Sequence, residues 1–129
     1  MRHNELSGTI VKASLDIHCK LGPGLLESVY QEILFRELRK QGLRVLKEVP
    51  IPVEWDEVRV DVGFRADLIV EDLVVVELKS LECVAAVHKK ILLTYLRLTD
   101  KRLGLLINFG MAYLRDGVTR LVNGLEDGS

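Results

Sequence analysis

The sequence lacks the long apolar segment that a membrane protein needs. No hydrophobic run approaches the roughly 20 residues that a membrane-spanning helix requires. The first ten residues, MRHNELSGTI, contain no apolar core of a secretory signal peptide. We therefore expect a cytoplasmic protein with no membrane partner.

The sequence also has almost no net charge and few aromatic side chains. The 18 Lys and Arg residues are balanced by 19 Asp and Glu residues, so no overall field draws the protein onto nucleic acid or an anionic membrane. Aromatic residues make up 5% of the chain, too few for the base-stacking surface of a typical single-strand binder. Any contact with nucleic acid must therefore come from a local basic surface.

Cysteine is scarce as well. Cys19 and Cys83 are far apart in the sequence and form no C-x-x-C motif, which argues against a zinc or redox site. We expect both to be reduced packing residues. The 129 residues are 48% hydrophobic and 29% charged, a composition that predicts one compact domain over residues 1–129 with no linker.

The spacing of apolar residues predicts two helices before any strand. The first covers residues 5–20 and ends at the LGPG stretch. Its buried stripe is predicted to contain Leu6, Ile10, Ala13 and Ile17. The second helix is predicted from about residue 25 to 41, with Gly42 just beyond its end. Its buried stripe is predicted to contain Leu26, Val29, Ile33 and Leu38.

The apolar period then changes to that of strands. RVLKEVPIPVEW, residues 44–55, contains two prolines and is typical of an edge strand. In VRVDVGFRADLIV, residues 58–70, apolar and polar residues alternate, which predicts one buried face. That face is predicted to contain Val58, Val60, Val62 and Phe64. Glu71 and Asp72 connect this strand to VVVELK, residues 74–79, as in a hairpin.

A third helix and a buried strand complete the predicted fold. Residues 83–98 return to helical spacing. The predicted stripe contains Val84, Val87, Ile91, Tyr95 and Leu98. LGLLINF, residues 103–109, is typical of a strand buried on both faces, and GVTRLVNG favours a last short strand. This order predicts an α/β fold with a mixed β-sheet flanked by helices.

A charged pair, Glu77 and Lys79, ends the most apolar hairpin strand. The two side chains share one face because side chains alternate along a strand. The hairpin register decides whether Asp67 joins them. A two-residue loop would turn Asp67 away, whereas a three-residue loop over residues 71–73 sets Asp67 opposite Glu77. We expect the three-residue loop, or a bulge of equal effect, because it gathers five apolar residues on the other face. They are Leu68, Val70, Val74, Val76 and Leu78.

Two opposed carboxylates repel each other unless a proton, a basic neighbour or a cation neutralises them. Their oxygen atoms suit Mg²⁺ or Mn²⁺, which polarise a phosphate and lower the pKa of a bound water. Lys79 would orient that water or stabilise the charge of the transition state. The triad thus favours phosphodiester hydrolysis, but it also fits a solvated ion pair worth under about 1 kcal/mol.

Several motifs appear in a recognisable order: GLLESVY at residues 24–30, then RADLIV, VELKS, LLTYLRLT and LGLLINFG. Over residues 5–124 they resemble the GxxExxY proteins, a group within the PD-(D/E)XK nuclease superfamily. The resemblance implies a restriction-endonuclease-like core in α-β-β-β-α-β order. It also implies Mg²⁺-dependent cleavage of nucleic acid, with DNA as the expected partner.

The resemblance assigns roles to individual residues. Asp67, Glu77 and the backbone carbonyl of Leu78 would be metal ligands, and Lys79 the catalytic lysine. Glu27 would supply a further catalytic carboxylate to the metal, although a first-turn acid is also favoured by the helix dipole alone.

Three further positions concern the predicted active site. Tyr30, at i+3 from Glu27, is expected on the same helical face as an accessory residue. Relatives usually carry Gln four residues before Tyr95, where this chain has Ile91. An apolar side chain there cannot orient water or phosphate, so the site is altered. His88, on the face of Tyr95, is a further accessory candidate, but a structural histidine fits equally well.

Five basic residues on the third helix and its exit are predicted to meet a nucleic-acid backbone. They are Lys89, Lys90, Arg97, Lys101 and Arg102. A solvated helix surface would explain them as well. Two other functions stay open: a nuclease fold used only for binding or assembly, and cleavage of RNA. A homodimer is plausible because twofold symmetry would place two sites on a duplex.

Overall fold

Two helices precede a five-stranded sheet, and a third helix crosses over within it. The computed structural model describes residues 2–126, so residues 1 and 127–129 of the predicted domain lie outside the described part. The elements are helices α1 (His3–Leu21) and α2 (Glu27–Lys40), strands β1 (Val45–Trp55), β2 (Val58–Val70) and β3 (Val74–Lys79), helix α3 (Ala86–Thr99), strand β4 (Leu103–Asn108), a 3-10 turn (Leu114–Gly117) and strand β5 (Val118–Val122). No helix among residues 2–126 is long and apolar enough to cross a membrane.

The sheet has the strand order β1-β2-β3-β4-β5. All neighbouring strands are antiparallel except β3 and β4, which run parallel because α3 returns the chain between them. The predicted α-β-β-β-α-β order is confirmed, as are the edge position of β1 and the final short strand. A mixed sheet covered on both faces by helices follows from this order.

The predicted register of the β2–β3 hairpin is confirmed. Val70 pairs with Val74 and Leu68 with Val76. Glu71 and Asp72 adopt left-handed backbone angles, φ 52° and 56°, and Leu73 N donates to the Val70 carbonyl at 3.0 Å. The three-residue loop therefore sets the face of every later residue in β3.

Two apolar cores lie on the two faces of the sheet. The larger one joins α1 and α2 to the face that carries the five hairpin residues named above. It contains the predicted α1 stripe of Leu6, Ile10, Ala13 and Ile17, all buried. The smaller core joins α3 to the opposite face through Leu92, Leu96 and Leu106.

The predicted stripe of α2 is partly wrong. Leu38 is buried as expected, but Leu26 and Val29 are exposed. Leu26 precedes the helix, because its backbone is extended (φ −65°, ψ 147°) and α2 begins only at Glu27. The buried residues of α2 are Tyr30, Leu34 and Leu38.

The predicted stripe of α3 is wrong at three positions. Val87, Ile91 and Leu98 are exposed, whereas Leu92 and Leu96 are buried. Leu92 lies over Gly104 of β4, where a Cβ would come within 3.1 Å of its side chain. The helix therefore carries two apolar stripes, and this close approach to β4 selects the one at Leu92 and Leu96.

The outer halves of β1 and β2 form a ribbon that extends beyond β3, here called the β1–β2 ribbon (residues 49–65). Pairing with β3 is confined to residues 68–70 of β2, so nothing in the sheet continues beside the ribbon. Val58, Val60 and Val62 are exposed, contrary to the prediction of a buried face. The prediction fails because no second layer among residues 2–126 covers this part of the strand, and the pairing with β1 shifts register between Ile51 and Val53.

Both cysteines are free thiols. Cys19 lies on α1 and Cys83 precedes α3, and both are exposed. The prediction that they pack in the interior is therefore wrong.

Asn108 fixes the segment that follows β3 to the end of β4. Its side chain is fully buried. Its Oδ1 accepts from Leu81 N at 2.9 Å and Gly110 N at 3.0 Å, and its Nδ2 donates to the Leu81 carbonyl at 2.9 Å. A Cβ at Gly110 would overlap the Leu81 backbone, so glycine is needed for this close approach.

Asn108→Ala should therefore lower the free energy of unfolding by about 1–3 kcal/mol, because part-buried backbone groups of Leu81 and Gly110 lose their partner. Urea denaturation measures the change. The exposed Gln41→Ala is the control and should shift stability by less than about 0.5 kcal/mol. An equal effect in both variants would contradict this role of Asn108.

Candidate active site

Asp67 and Glu77 meet where β2 and β3 cease to pair regularly. Glu77 Oε1 accepts from Asp67 N at 3.2 Å, and Asp67 Oδ2 accepts from Leu78 N at 2.8 Å. Each carboxylate is thus held by the backbone of the opposite strand. Lys79 follows two residues later on β3 and is half-buried. The structure brings together the three residues that the sequence predicts.

The two carboxylates lie in an environment that disfavours their charges. Burial raises the pKa of Glu77 to about 8, and the neighbouring Asp67 charge adds to the effect, while Lys79 opposes it. Burial also raises the pKa of Asp67, against the lowering effects of the Leu78 N–H and Lys79. At neutral pH the pair therefore retains a proton when no cation replaces it.

The chemistry of this pair fits a small divalent cation. Two carboxylates and a backbone carbonyl are hard oxygen donors, and Mg²⁺ is commonly held by one or two carboxylates while keeping several waters. Within residues 2–126, no three His, Cys, Asp or Glu side chains converge on one point. Asp67 and Glu77 are the two carboxylates that the β2–β3 hydrogen bonds bring together, and the charge of Glu27 acts on Asp67.

Glu27 lies in the first turn of α2, exposed at an open cleft of about 610 Å³. The cleft is also lined by Gly24, Leu25, Ser80 and Gly110. The charge of Glu27 is felt at Asp67, where it raises the pKa of that carboxyl. The sequence prediction that Glu27 reaches the same end of the sheet agrees with this placement.

Tyr30 does not share the exposed position of Glu27. It is fully buried and stacks on Phe109, with ring centroids 4.3 Å apart. Its hydroxyl donates to the Gly22 carbonyl at 2.6 Å and accepts from Leu25 N at 3.2 Å. The predicted accessory role of Tyr30 at the active site is therefore wrong in its geometry, because the hydroxyl holds the loop that precedes Glu27.

A small cavity of about 80 Å³ lies between β3 and α3. It is lined by Glu77, Lys79, His88, Ile91 and Tyr95, together with Leu106. Burial raises the pKa of the Tyr95 phenol, and the charges of Glu77 and Asp67 add to the effect, so Tyr95 stays neutral. Ile91 gives this cavity an apolar wall at the position where the sequence comparison expects a polar side chain.

Comparison with known families decides what this arrangement is. Residues 4–121 match the PD-(D/E)XK nuclease superfamily. The chain belongs to this superfamily. No curated protein and no solved structure gave a significant match. The mixed sheet with flanking helices is thus a restriction-endonuclease-like fold, as predicted, and the superfamily implies a nucleic-acid substrate and, typically, a divalent metal.

His88 has a structural contact in this PD-(D/E)XK fold. Its Nδ1 accepts from Ala85 N at 3.1 Å and so satisfies an amide at the start of α3. The ring still lines the small cavity. The two interpretations of His88, as a structural residue and as an accessory residue of the active site, therefore each agree with part of its position.

The five basic residues predicted to contact nucleic acid are spread along α3 and its exit. Lys101 and Arg102 precede Leu103, which pairs with Val74 at the start of β3. They are therefore about 16 Å from the Lys79 end, at about 3.3 Å per residue. Lys101 also pairs with Asp72 at 2.7 Å. That these residues contact nucleic acid stays a prediction.

Sequence reasoning missed Arg65, which lies on β2 two residues before Asp67. Its side chain is exposed and makes no hydrogen bond or ion pair with residues 2–126. Phe64 and Ala66 pack on the α3 side of β2, so Arg65 between them projects from the other side of the strand.

The raised pKa of Glu77 predicts the pH dependence of stability of the metal-free protein. Its value in the folded state, about 8, lies above the ordinary value of 4.5. The stabilisation is therefore complete below about pH 4.5 and is lost as the pH rises through about 8. We expect the free energy of unfolding to fall over this range, by at most about 1.4 kcal/mol per pH unit for one proton.

Urea denaturation in the presence of a chelator measures this slope. Glu77→Gln should reduce it, since the amide does not titrate. The exposed Glu37→Gln should keep the wild-type slope. An unchanged slope in Glu77→Gln would assign the pH dependence to other groups.

Proposed function

We propose that this protein is a divalent-metal-dependent nuclease that cleaves DNA. The observation that carries the proposal is the buried Asp67–Glu77 pair, two carboxylates that retain a proton unless a cation replaces it. Lys79 lies beside this pair, as the superfamily signature requires. The GLLESVY stretch supports membership of the GxxExxY group. We further propose a single cytoplasmic domain over residues 1–129, with Mg²⁺ or Mn²⁺ as the metal.

The proposed metal ligands are Asp67, Glu77 and the carbonyl of Leu78, with Glu27 acting from the cleft side. The metal, when bound, supplies a polarised phosphate and a more acidic water. Lys79 would orient the attacking water or stabilise the charge that develops on the phosphate. The charge of Glu27 acts on Asp67, so Glu27 would contribute to the same site from the cleft side.

Nucleic acid would approach through the open cleft beside Glu27. Lys89 on α3 and Arg65 on β2 are exposed cations, and neither makes an ion pair with residues 2–126. Contacts of this kind bind phosphates without reading sequence. We therefore propose that substrate binding here depends on salt more than on base identity.

Two variants separate the proposed roles of the metal ligand and the lysine. With supercoiled plasmid and Mg²⁺ or Mn²⁺, Lys79→Ala should lose nicking but keep the metal-induced rise in melting temperature. Asp67→Asn should lose both, because the amide oxygen is a weaker, uncharged donor. Lys12→Ala, on the exposed side of α1, is the matched lysine control and should behave as wild type.

Full nicking by Lys79→Ala would exclude the proposed role of that lysine. A parallel incubation with single-stranded RNA tests the other substrate class. Cleavage of RNA with intact plasmid would move the proposal from DNA to RNA.

A second function, binding or assembly without catalysis, is favoured by one observation. Ile91 lines the cavity beside Glu77 and Lys79, and its side chain can neither donate nor accept a hydrogen bond. This alternative predicts no metal-induced change in melting temperature even at millimolar metal.

Ile91→Gln tests whether the apolar wall limits activity. Ile91 is partly exposed, so Gln should fold normally and place an amide in the cavity. We expect the nicking rate to rise relative to wild type, whereas the size-matched Ile91→Leu should leave it unchanged. Equal rates in all three proteins would show that the position does not limit turnover.

A further inference from the structure

The β1–β2 ribbon leaves one apolar face open. Trp55 pairs with Val58, and Val53 with Val60, and cross-strand partners project on the same face. Trp55 is 77% exposed and Val58 60% exposed. A two-stranded ribbon is marginally stable by itself in water, and contiguous exposed apolar surface marks an interaction site.

The inner end of the ribbon is already covered. Phe64 stacks on Tyr95 of α3, with ring centroids 3.5 Å apart and planes inclined by 9°. Ile51, the strand partner of Phe64, packs into the smaller core. The ribbon therefore packs on a helix at its inner end, and its outer end, beyond the register shift between Ile51 and Val53, lacks a layer.

The charges at the ribbon tip are mainly negative. Asp56 and Glu57 form the turn and make no ion pair with residues 2–126. Glu54 and Asp61 both bind Arg59, at 2.9 and 3.0 Å, so the one cation of the tip is already used. The negative charge of the tip disfavours binding to a phosphate backbone. It favours binding to a protein surface that is apolar and basic.

Helix α3 presents such a surface. Val87, Ile91 and Leu98 form its exposed apolar stripe, at spacings that fall on one helical face. Lys90 and Arg97 flank this stripe, both exposed and without an ion pair to residues 2–126. The chain thus carries two exposed apolar surfaces of opposite charge.

We propose that two copies of this chain pair about a twofold axis, with the ribbon tip of each copy on helix α3 of the other. Ribbon and helix meet at the Phe64–Tyr95 stack within each chain. Because each copy carries both surfaces, one twofold rotation can make both contacts at once. Lys90 and Arg97 then face the partner's carboxylates, which leaves Arg65 and Lys89 for phosphates. The proposal depends on burial and charge and not on the proposed nuclease activity.

Charge exchange tests this pairing without metal or substrate. The tip variant Asp56→Asn with Glu57→Lys keeps a residue that tolerates the left-handed angle at position 56, φ 51°. The helix variant is Lys90→Glu with Arg97→Glu. Sedimentation equilibrium should show wild-type dimers and, for each variant alone, a dissociation constant raised by about tenfold or more, because the attraction between tip and helix is lost at both contacts.

Mixing the two variants should restore association, since both contacts in the mixed dimer then join opposite charges. Lys12→Glu with Lys20→Glu, on exposed positions of α1, is the matched control and should dimerise as wild type. Circular dichroism of each variant confirms that it folds.

Trp55, the single tryptophan, reports on the same surface. Its emission should shift to shorter wavelength as wild-type protein is concentrated, and the shift should be absent in the tip variant. A wild-type protein that stays monomeric at high micromolar concentration would overturn the proposal. So would undiminished association of both variants, or a Trp55 shift seen only when duplex DNA is added to monomers.

Discussion

Asp67 and Glu77 accept backbone hydrogens from each other's strands at a point where burial opposes both charges. This crossed pair of hydrogen bonds requires several other features of the fold. The three-residue hairpin loop must hold the register that places the two carboxylates face to face. The apolar face behind them must be covered by α1 and α2, and the site must hold a proton or a cation. The end of β3 is therefore a structural junction as well as the proposed reactive site.

The cleft beside this pair has walls that are fastened by long-range contacts. Ser80 Oγ donates to the Leu25 carbonyl at 2.6 Å, Tyr30 holds the loop at Gly22, and Asn108 holds Leu81. These bonds join segments before α2, after β3 and after β4. The position of Glu27 relative to Asp67 therefore depends on residues that touch neither.

The parts of the fold that the sequence predicted are those decided by local pattern. Only one hairpin register places the five apolar residues on one face and the charged residues on the other. The sequence alone could therefore set Asp67 opposite Glu77. The prediction of the buried stripe of α3 failed because that helix has two apolar sides. The close packing of Leu92 over Gly104 determines which side is buried. The prediction of a buried face in the ribbon failed because alternation does not show whether another layer covers that face. The burial of Tyr30 depends on Phe109, 79 positions later, which no local period contains.

The carboxylates are held by N–H donors, and this has a consequence for how such a domain can change over evolution. Asparagine at 67 or glutamine at 77 would present an oxygen to the same donor, with nearly the same shape and no charge to bury. Exchange of an oxygen for a nitrogen in each side chain would thus remove the chemistry and relieve the electrostatic strain together. A descendant without activity would be at least as stable as its ancestor, and selection for folding alone would not preserve the reaction.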